Sequence, residues 1–96
     1  MTDVVVTDVA DAHRFEGRSP DGALLGVVAY ERRGDDVVLT HTEVDPDAEG
    51  HGIGTSLVRQ TLDALRAQGA RVVPQCPFVR SFVESHDGYS DMLIDR

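Results

Sequence analysis

Three groups of residues could do chemistry in this chain. The first is Glu49-Gly50-His51-Gly52-Ile53-Gly54-Thr55, in which glycines alternate just before an apolar helical pattern. Glycines at such a place let the main chain turn sharply and keep side chains away from the backbone. At a helix start, N–H groups without internal partners and the helix dipole favour an anion, phosphate or pyrophosphate above all. A plain strand-to-helix turn has the same spacing, so glycines alone leave both readings open. The second group is His41 and Glu43, two positions apart on a strand pattern. An imidazole beside a carboxylate can take and pass a proton, or the two can form a purely structural hydrogen-bonded pair. The third is Cys76, the one cysteine, just before Pro77 and a short helical pattern. A thiol at a helix N-terminus can become a nucleophilic thiolate, whereas lone cysteines also serve as buried packing.

Other chemistries lose ground on composition and spacing. A G-x-x-x-x-G-K-[ST] phosphate loop is impossible because the chain has no lysine, and G-x-G-x-x-G would need glycine at Leu57, or at Thr55 if counted from Gly50. Nucleotide hydrolysis and dinucleotide binding are therefore disfavoured. His13, His51 and His86 form no metal-ligand spacing, and His13 and His86 read as surface residues; His51 stands where it could help hold a phosphate. One cysteine also excludes an internal disulfide framework.

These residues need elements to position them. Strand formers run over 13–18, 23–33 and 37–44, separated by turn signals at "SPDG" and "GDD". Residues 1–11 read as a frayed end or as a first edge strand at "VVV". The stretch 37–44 alternates in part, with Val37, Leu39, His41 and Glu43 on one face, and Val38, Thr40, Thr42 and Val44 on the other. The period then changes. Ile53, Leu57, Val58, Leu62 and Leu65 fall on one face of a helix spanning Gly52 to Gln68, with Gly69 as its stop. A strand over 71–76 follows, then a second short helix opened by Pro77, and a tail that covers a sheet edge or a helix end. The expectation is one α/β (α+β) domain over residues 1–96: a mixed, mostly antiparallel sheet, a central helix after the glycine loop and a short C-terminal helix.

A chain of 96 residues, 41% of them hydrophobic, has material for one modest core. Seventeen acidic residues, twelve of them Asp, oppose nine arginines, for a formal charge of −8. That field repels a nucleic-acid backbone and favours a cationic partner such as an amine, besides serving solubility. No apolar run is long enough for a membrane span and no leader pattern opens the chain, so a soluble, cytoplasmic protein is expected.

The stretch "HTEVDPDAEGHGIGTSLVRQTLDALRAQGARVVPQCPFVRSFVESHDGYSD", residues 41–91, resembles the GCN5-related N-acetyltransferases, in particular their very small, single-domain subfamily of the YjdJ-like kind. In that family a Q/R-x-x-G-x-G/A segment binds the pyrophosphate of acetyl-CoA through backbone N–H groups. The resemblance places it on Glu49, Gly50, His51, Gly52, Ile53 and Gly54, with Thr55 opening the helix. Glu49 departs from the usual Gln or Arg, and its carboxylate is unfavourable beside a pyrophosphate unless it points away. By the same resemblance the strand ending at Val44 splays from the strand at 71–76, and the pantetheine arm lies in the gap. Arg59 and Arg80 could reach the nucleotide phosphates.

For acetyl transfer to an amine, the resemblance implies a base in the region of Glu43, with His41 beside it. The family's usual thiolate-protonating tyrosine falls on Val83, within "FVESHDGY", and Tyr89 comes later, where it reads as a packing or capping residue. Cys76 matches the small subfamily's P-x-C-x-F context with Pro74 and Phe78. Nucleophile, cofactor-lining group and packing residue all remain open to it. An acetyl-CoA-dependent N-acyltransferase is thus expected, monomeric or homodimeric. Its cleft has no room for inserted acceptor helices, so it would be open to an exposed protein amine or a polyamine. The rival is a CoA-binding module without turnover, acting as a sensor or interaction partner.

Overall fold

The computed structural model describes residues 4–50 and 52–94. Its elements are β1 (Val5–Val9), β2 (Arg14–Arg18), β3 (Leu24–Arg33), β4 (Asp36–Val44), α1 (Ile53–Ala67), β5 (Arg71–Pro74) and α2 (Pro77–Ser85). Short 3-10 turns lie at Ala10–Ala12, Pro46–Ala48 and Asp87–Met92. The sheet order is β1-β2-β3-β4-β5; the first four strands form an antiparallel meander, and β5 returns parallel to β4 through α1. This is the expected mixed sheet, with an edge strand where residues 1–11 left two possibilities. No helix among the described residues is long and apolar enough to cross a membrane.

The amphipathic face of α1 makes the core. Leu57, Val58, Leu62 and Leu65 pack with Phe15, Val28, Tyr30, Val37 and Leu39 of the sheet, and Val72, Val79, Phe82 and Met92 close the second half. The tail covers the outer edge of β5, since Leu93 bridges to Val72 and Ile94 N donates to Val72 O at 2.7 Å.

Two local departures from the sequence expectation bear on function. Strict alternation along β4 fails. Ala29 pairs with His41 but the next residue, Tyr30, pairs with Leu39, so Thr40 is an extra residue in the strand. Such a bulge reverses the facing of everything beyond it. Val37 and Leu39 therefore share the helix-covered face with Thr42 and Val44, while His41 and Glu43 fall on the open face with Val38. The β5 strand also ends at Pro74 instead of residue 76: Gln75 N turns back to Val73 O at 3.0 Å, and Cys76 becomes the N-cap residue of α2.

The open face of the sheet is held by polar contacts. Glu16, 8% exposed, accepts from Arg14 Nε (2.9 Å) and Nη2 (2.7 Å), and from Arg18 Nη2 (2.9 Å). Arg14, and then Arg18, holds its carboxyl below the ordinary value of 4.5.

Two outcomes follow for stability. Leu57→Ala removes a fully buried side chain and should cost about 3 kcal/mol in urea unfolding, whereas Leu24→Ala, at a side chain 37% exposed, should cost less than about 0.5 kcal/mol. Because the Glu16 pKa is lowered on folding, its ionisation stabilises the fold above the unfolded-state pKa. That contribution disappears as pH falls through the folded-state value. Urea midpoints measured between about pH 6 and pH 3 should fall less steeply in Glu16→Gln than in the unsubstituted protein.

Candidate functional site

The loop from β4 to α1 begins with a local cap. The Asp45 carboxylate accepts from Asp47 N at 2.9 Å and holds the 3-10 turn of Pro46–Ala48. Beyond it the chain reaches Gly52, the N-cap of α1, at φ +74°, a left-handed conformation that L side chains rarely adopt. A glycine N-cap brings no capping side chain. Ser56 N, donating to Gly52 O at 3.1 Å, makes the first intrahelical bond, so the N–H groups of Ile53, Gly54 and Thr55 precede the helical ladder.

These groups border a cleft of about 260 Å³. Gly50, Gly52, Ile53, Gly54 and Thr55 form one side, with Val44, Glu49 and Phe78 completing the wall. The structure thus gathers the residues that the sequence singled out for anion binding; His51 lies outside the described residues. Gly54 lies close against the Phe78 ring. A Cβ there would stand 2.7 Å from Phe78 Cζ and 3.4 Å from Val44 Cγ2. Arg59 and Arg80 are exposed on α1 and α2 and are not among the residues lining this cleft.

The cleft continues past Thr55 and Phe78 into a second recess of about 210 Å³ that reaches Ser81, Phe82, Ser85 and His86. His86, read from sequence as a surface residue, is half-buried. Its ring stacks on Phe82 with centroids 4.0 Å apart, and its Nδ1 lies 2.8 Å from Phe82 O.

Next to the cleft the sheet opens. The parallel ladder between β4 and β5 stops at the pair Leu39–Pro74, and Cys76 N donates to Leu39 O at 2.8 Å beyond it. From Thr40 to Val44, β4 has no ladder partner on that side. Cys76 borders this opening: it is 4% exposed, and its Sγ–H donates to Thr42 Oγ1 at 3.3 Å. His41 and Glu43 flank the opening from the open face, both well exposed, with Nε2 and Oε1 3.1 Å apart. The three candidate catalytic residues are therefore not on one surface. Cys76 joins Thr42 on the helix side, and the His41–Glu43 pair lies across the strand. Sequence reasoning did not single out Thr42; its signal was its spacing from Val44, hidden by the bulge.

Tyr89 is engaged elsewhere. Its hydroxyl donates to Asp63 at 3.0 Å, and its ring lies 5.6 Å from Phe82 and 5.3 Å from the Arg66 guanidinium. Burial, and then Asp63, raises its pKa above the ordinary phenol value, which makes it a poorer proton donor. It packs, as expected. Among the described residues, no group of three or more His, Cys, Asp or Glu side chains is arranged to hold a metal.

The family model for GCN5-related N-acetyl-transferases matches residues 14–92. The NMR solution structure of a GCN5-like protein from Staphylococcus aureus superimposes over 100% of this chain and 93% of that one, with TM-score 0.70 and 19% identity. The crystal structure of a nourseothricin acetyltransferase aligns over 72% of this chain and 55% of that one, with TM-score 0.48 and 24% identity. Comparison with curated proteins gives no match.

The burial of Cys76 can be tested directly. Its thiol should react with a maleimide at least about tenfold more slowly in the native protein than in urea. Equal rates would mean that the thiol is open to solvent.

Proposed function

The chain belongs to the GCN5-related N-acetyltransferase family, and from that membership we propose that it transfers an acetyl group from acetyl-CoA to an amine. The observation that supports the proposal is that the glycine-lined cleft at the start of α1 includes Val44, the end of the β4 segment that β5 leaves unpaired, with the Cys76–Thr42 contact further along the same strand. The residues fit the cofactor: Gly50 and Gly52 line the cleft without side chains and with open space around them, where a pyrophosphate would approach the backbone. Gly50, Gly52, Ile53, Gly54 and Thr55 would hold the diphosphate through main-chain N–H groups, and His51 belongs to the same loop. Val44 would flank the pantetheine arm. Acetyl-CoA, when bound, supplies an acyl group activated as a thioester.

The chain's own residues supply the rest. An amine reaches the reaction as an ammonium and must lose a proton before it attacks. Glu43, with its Oε1 3.1 Å from His41 Nε2 and exposed on the open face, would take it. The missing ladder between β4 and β5 lets a group on the open face meet one held on the helix face. Cys76 has two roles in this reading. It lines the site and, through its S–H to Thr42, keeps that wall closed; or it would take the acetyl group first, its sulfur displacing CoA from the thioester with its proton passing to the departing CoA sulfur, and the amine would then displace Cys76.

A binding module without turnover is the second reading, and one observation favours it. Val83 occupies the place of the family's usual proton-donating tyrosine, and the Tyr89 hydroxyl is committed to Asp63.

Thr55→Glu separates binding from folding. A carboxylate in the first turn suits the helix dipole but occupies the anion cleft. Titration calorimetry should show acetyl-CoA binding to the unsubstituted protein and its loss in this variant, with the thermal midpoint retained. No heat with the unsubstituted protein at millimolar acetyl-CoA would sink the proposal. Glu43→Gln should then lower turnover about a hundredfold while leaving the acetyl-CoA Kd in place. Binding without turnover for any amine would select the module.

A further inference from the structure

A second cavity adjoins the glycine-lined cleft. It holds about 610 Å³ at the end of the sheet, where the start of β3 meets the end of β4. Its wall includes Glu43 and Thr42, and it shares Val44 and Glu49 with the glycine-lined cleft. Two adjoining cavities, one of them with the candidate base Glu43 in its wall, are what a two-substrate reaction needs. One of them contains the glycine loop. The other has Glu43 in its wall, and its lining indicates which acceptor would fit.

The floor is aliphatic: Leu24, 37% exposed, with Leu25 and the nearly buried Val27. Leu25 is the extra residue at the irregularity between β2 and β3, and its carbonyl accepts from Asp45 N at 2.8 Å, which ties the floor to the loop. The charged side chains around that floor are Glu43, Asp45 and Glu49. An apolar floor under a carboxylate rim suits methylene groups carrying a positive end and repels a carboxylate.

We infer that this cavity binds the acceptor as a cationic primary amine on an aliphatic chain, the chemistry shared by a small diamine and a lysine side chain, and discriminates against zwitterionic α-amino acids. The inference rests on the acyl-transfer reading of the same site. It also gives Glu49 a purpose. The residue that departs from the family's Gln or Arg sits where the two cavities join, so it attracts the acceptor at some cost to the diphosphate.

The test starts without acetyl-CoA, so that it stands apart from the cofactor. Titrating cadaverine into the isotope-labelled protein at low salt should shift the backbone amides of residues 24–27 and 43–49, and glycine should not. Absence of shifts there, or equal shifts with glycine, would overturn the inference even if acetyl-CoA binds. Acetylation assays then compare cadaverine, lysine blocked at both its α-amino and carboxyl groups, and glycine. Either cationic acceptor should exceed glycine about tenfold in kcat/KM. The better of the two assigns the source, a free diamine or a protein side chain.

Glu49→Arg should act in opposite directions on the two substrates, raising the amine KM about tenfold and tightening acetyl-CoA severalfold. An unchanged amine KM would refute the role of the rim. If arginine weakens acetyl-CoA binding as well, it has distorted the loop. Glu49→Gln then carries the test, with a rise in amine KM of about threefold supporting the inference and no rise refuting it.

Discussion

The parallel ladder between β4 and β5 ends after four residue pairs, and the site depends on that early end. Pro74 has no N–H to offer, and the tight turn at Gln75 leads at once into α2. Cys76 makes the last main-chain link, to Leu39 O, and then turns away as the N-cap of the helix. A longer ladder would pair Thr40 to Val44 on both sides and close the sheet. Instead, half of β4 keeps a free edge next to the first turn of α1, and the cleft, the thiol and the His41–Glu43 pair all border it.

The bulge at Thr40 works with this opening. Without the extra residue, His41 and Glu43 would continue the helix-covered face of Val37 and Leu39 and would have to be buried. With it, Thr42 turns toward Cys76, and the polar pair reaches water. In the proposed reaction, one unpaired residue would separate the side that holds an acyl donor from the side on which an amine arrives, while one strand serves both.

Much of this was legible in the sequence, and the failures have physical causes. The change from period two to helical spacing marked the meander, α1 and its end at Gly69, because burial on one face must repeat with the geometry of the element. The glycines at 50, 52 and 54 pointed to the cleft because only a chain that must adopt φ +74° at Gly52, or pass a ring at Gly54, selects glycine so consistently. The facing of His41 and Glu43 could not be read. A bulge leaves no signature in a run of β-branched and polar residues, and its effect on later positions is total. The length of β5 was overread for a similar reason. "RVVPQC" looks like one apolar strand until the backbone of Gln75 turns back on Val73. The stacking of His86 on Phe82 depends on their spacing of four along α2, and an imidazole there reads equally well as solvent-facing.

The two outer edges of the sheet are unequal. Beyond β5 the chain folds back at Leu93 and Ile94 and occupies the hydrogen-bonding positions of Val72. On the other side β1 ends the sheet among the described residues, with Val5 57% exposed. A sheet with two open edges can add copies without limit, whereas one with a single open edge can be extended only once. Two such chains joined through β1 would form one continuous sheet about a two-fold axis, with a β5 edge at each end already covered. The tail thereby acts as a terminator at Val72 and leaves β1 as the outer edge through which a second copy could extend the sheet.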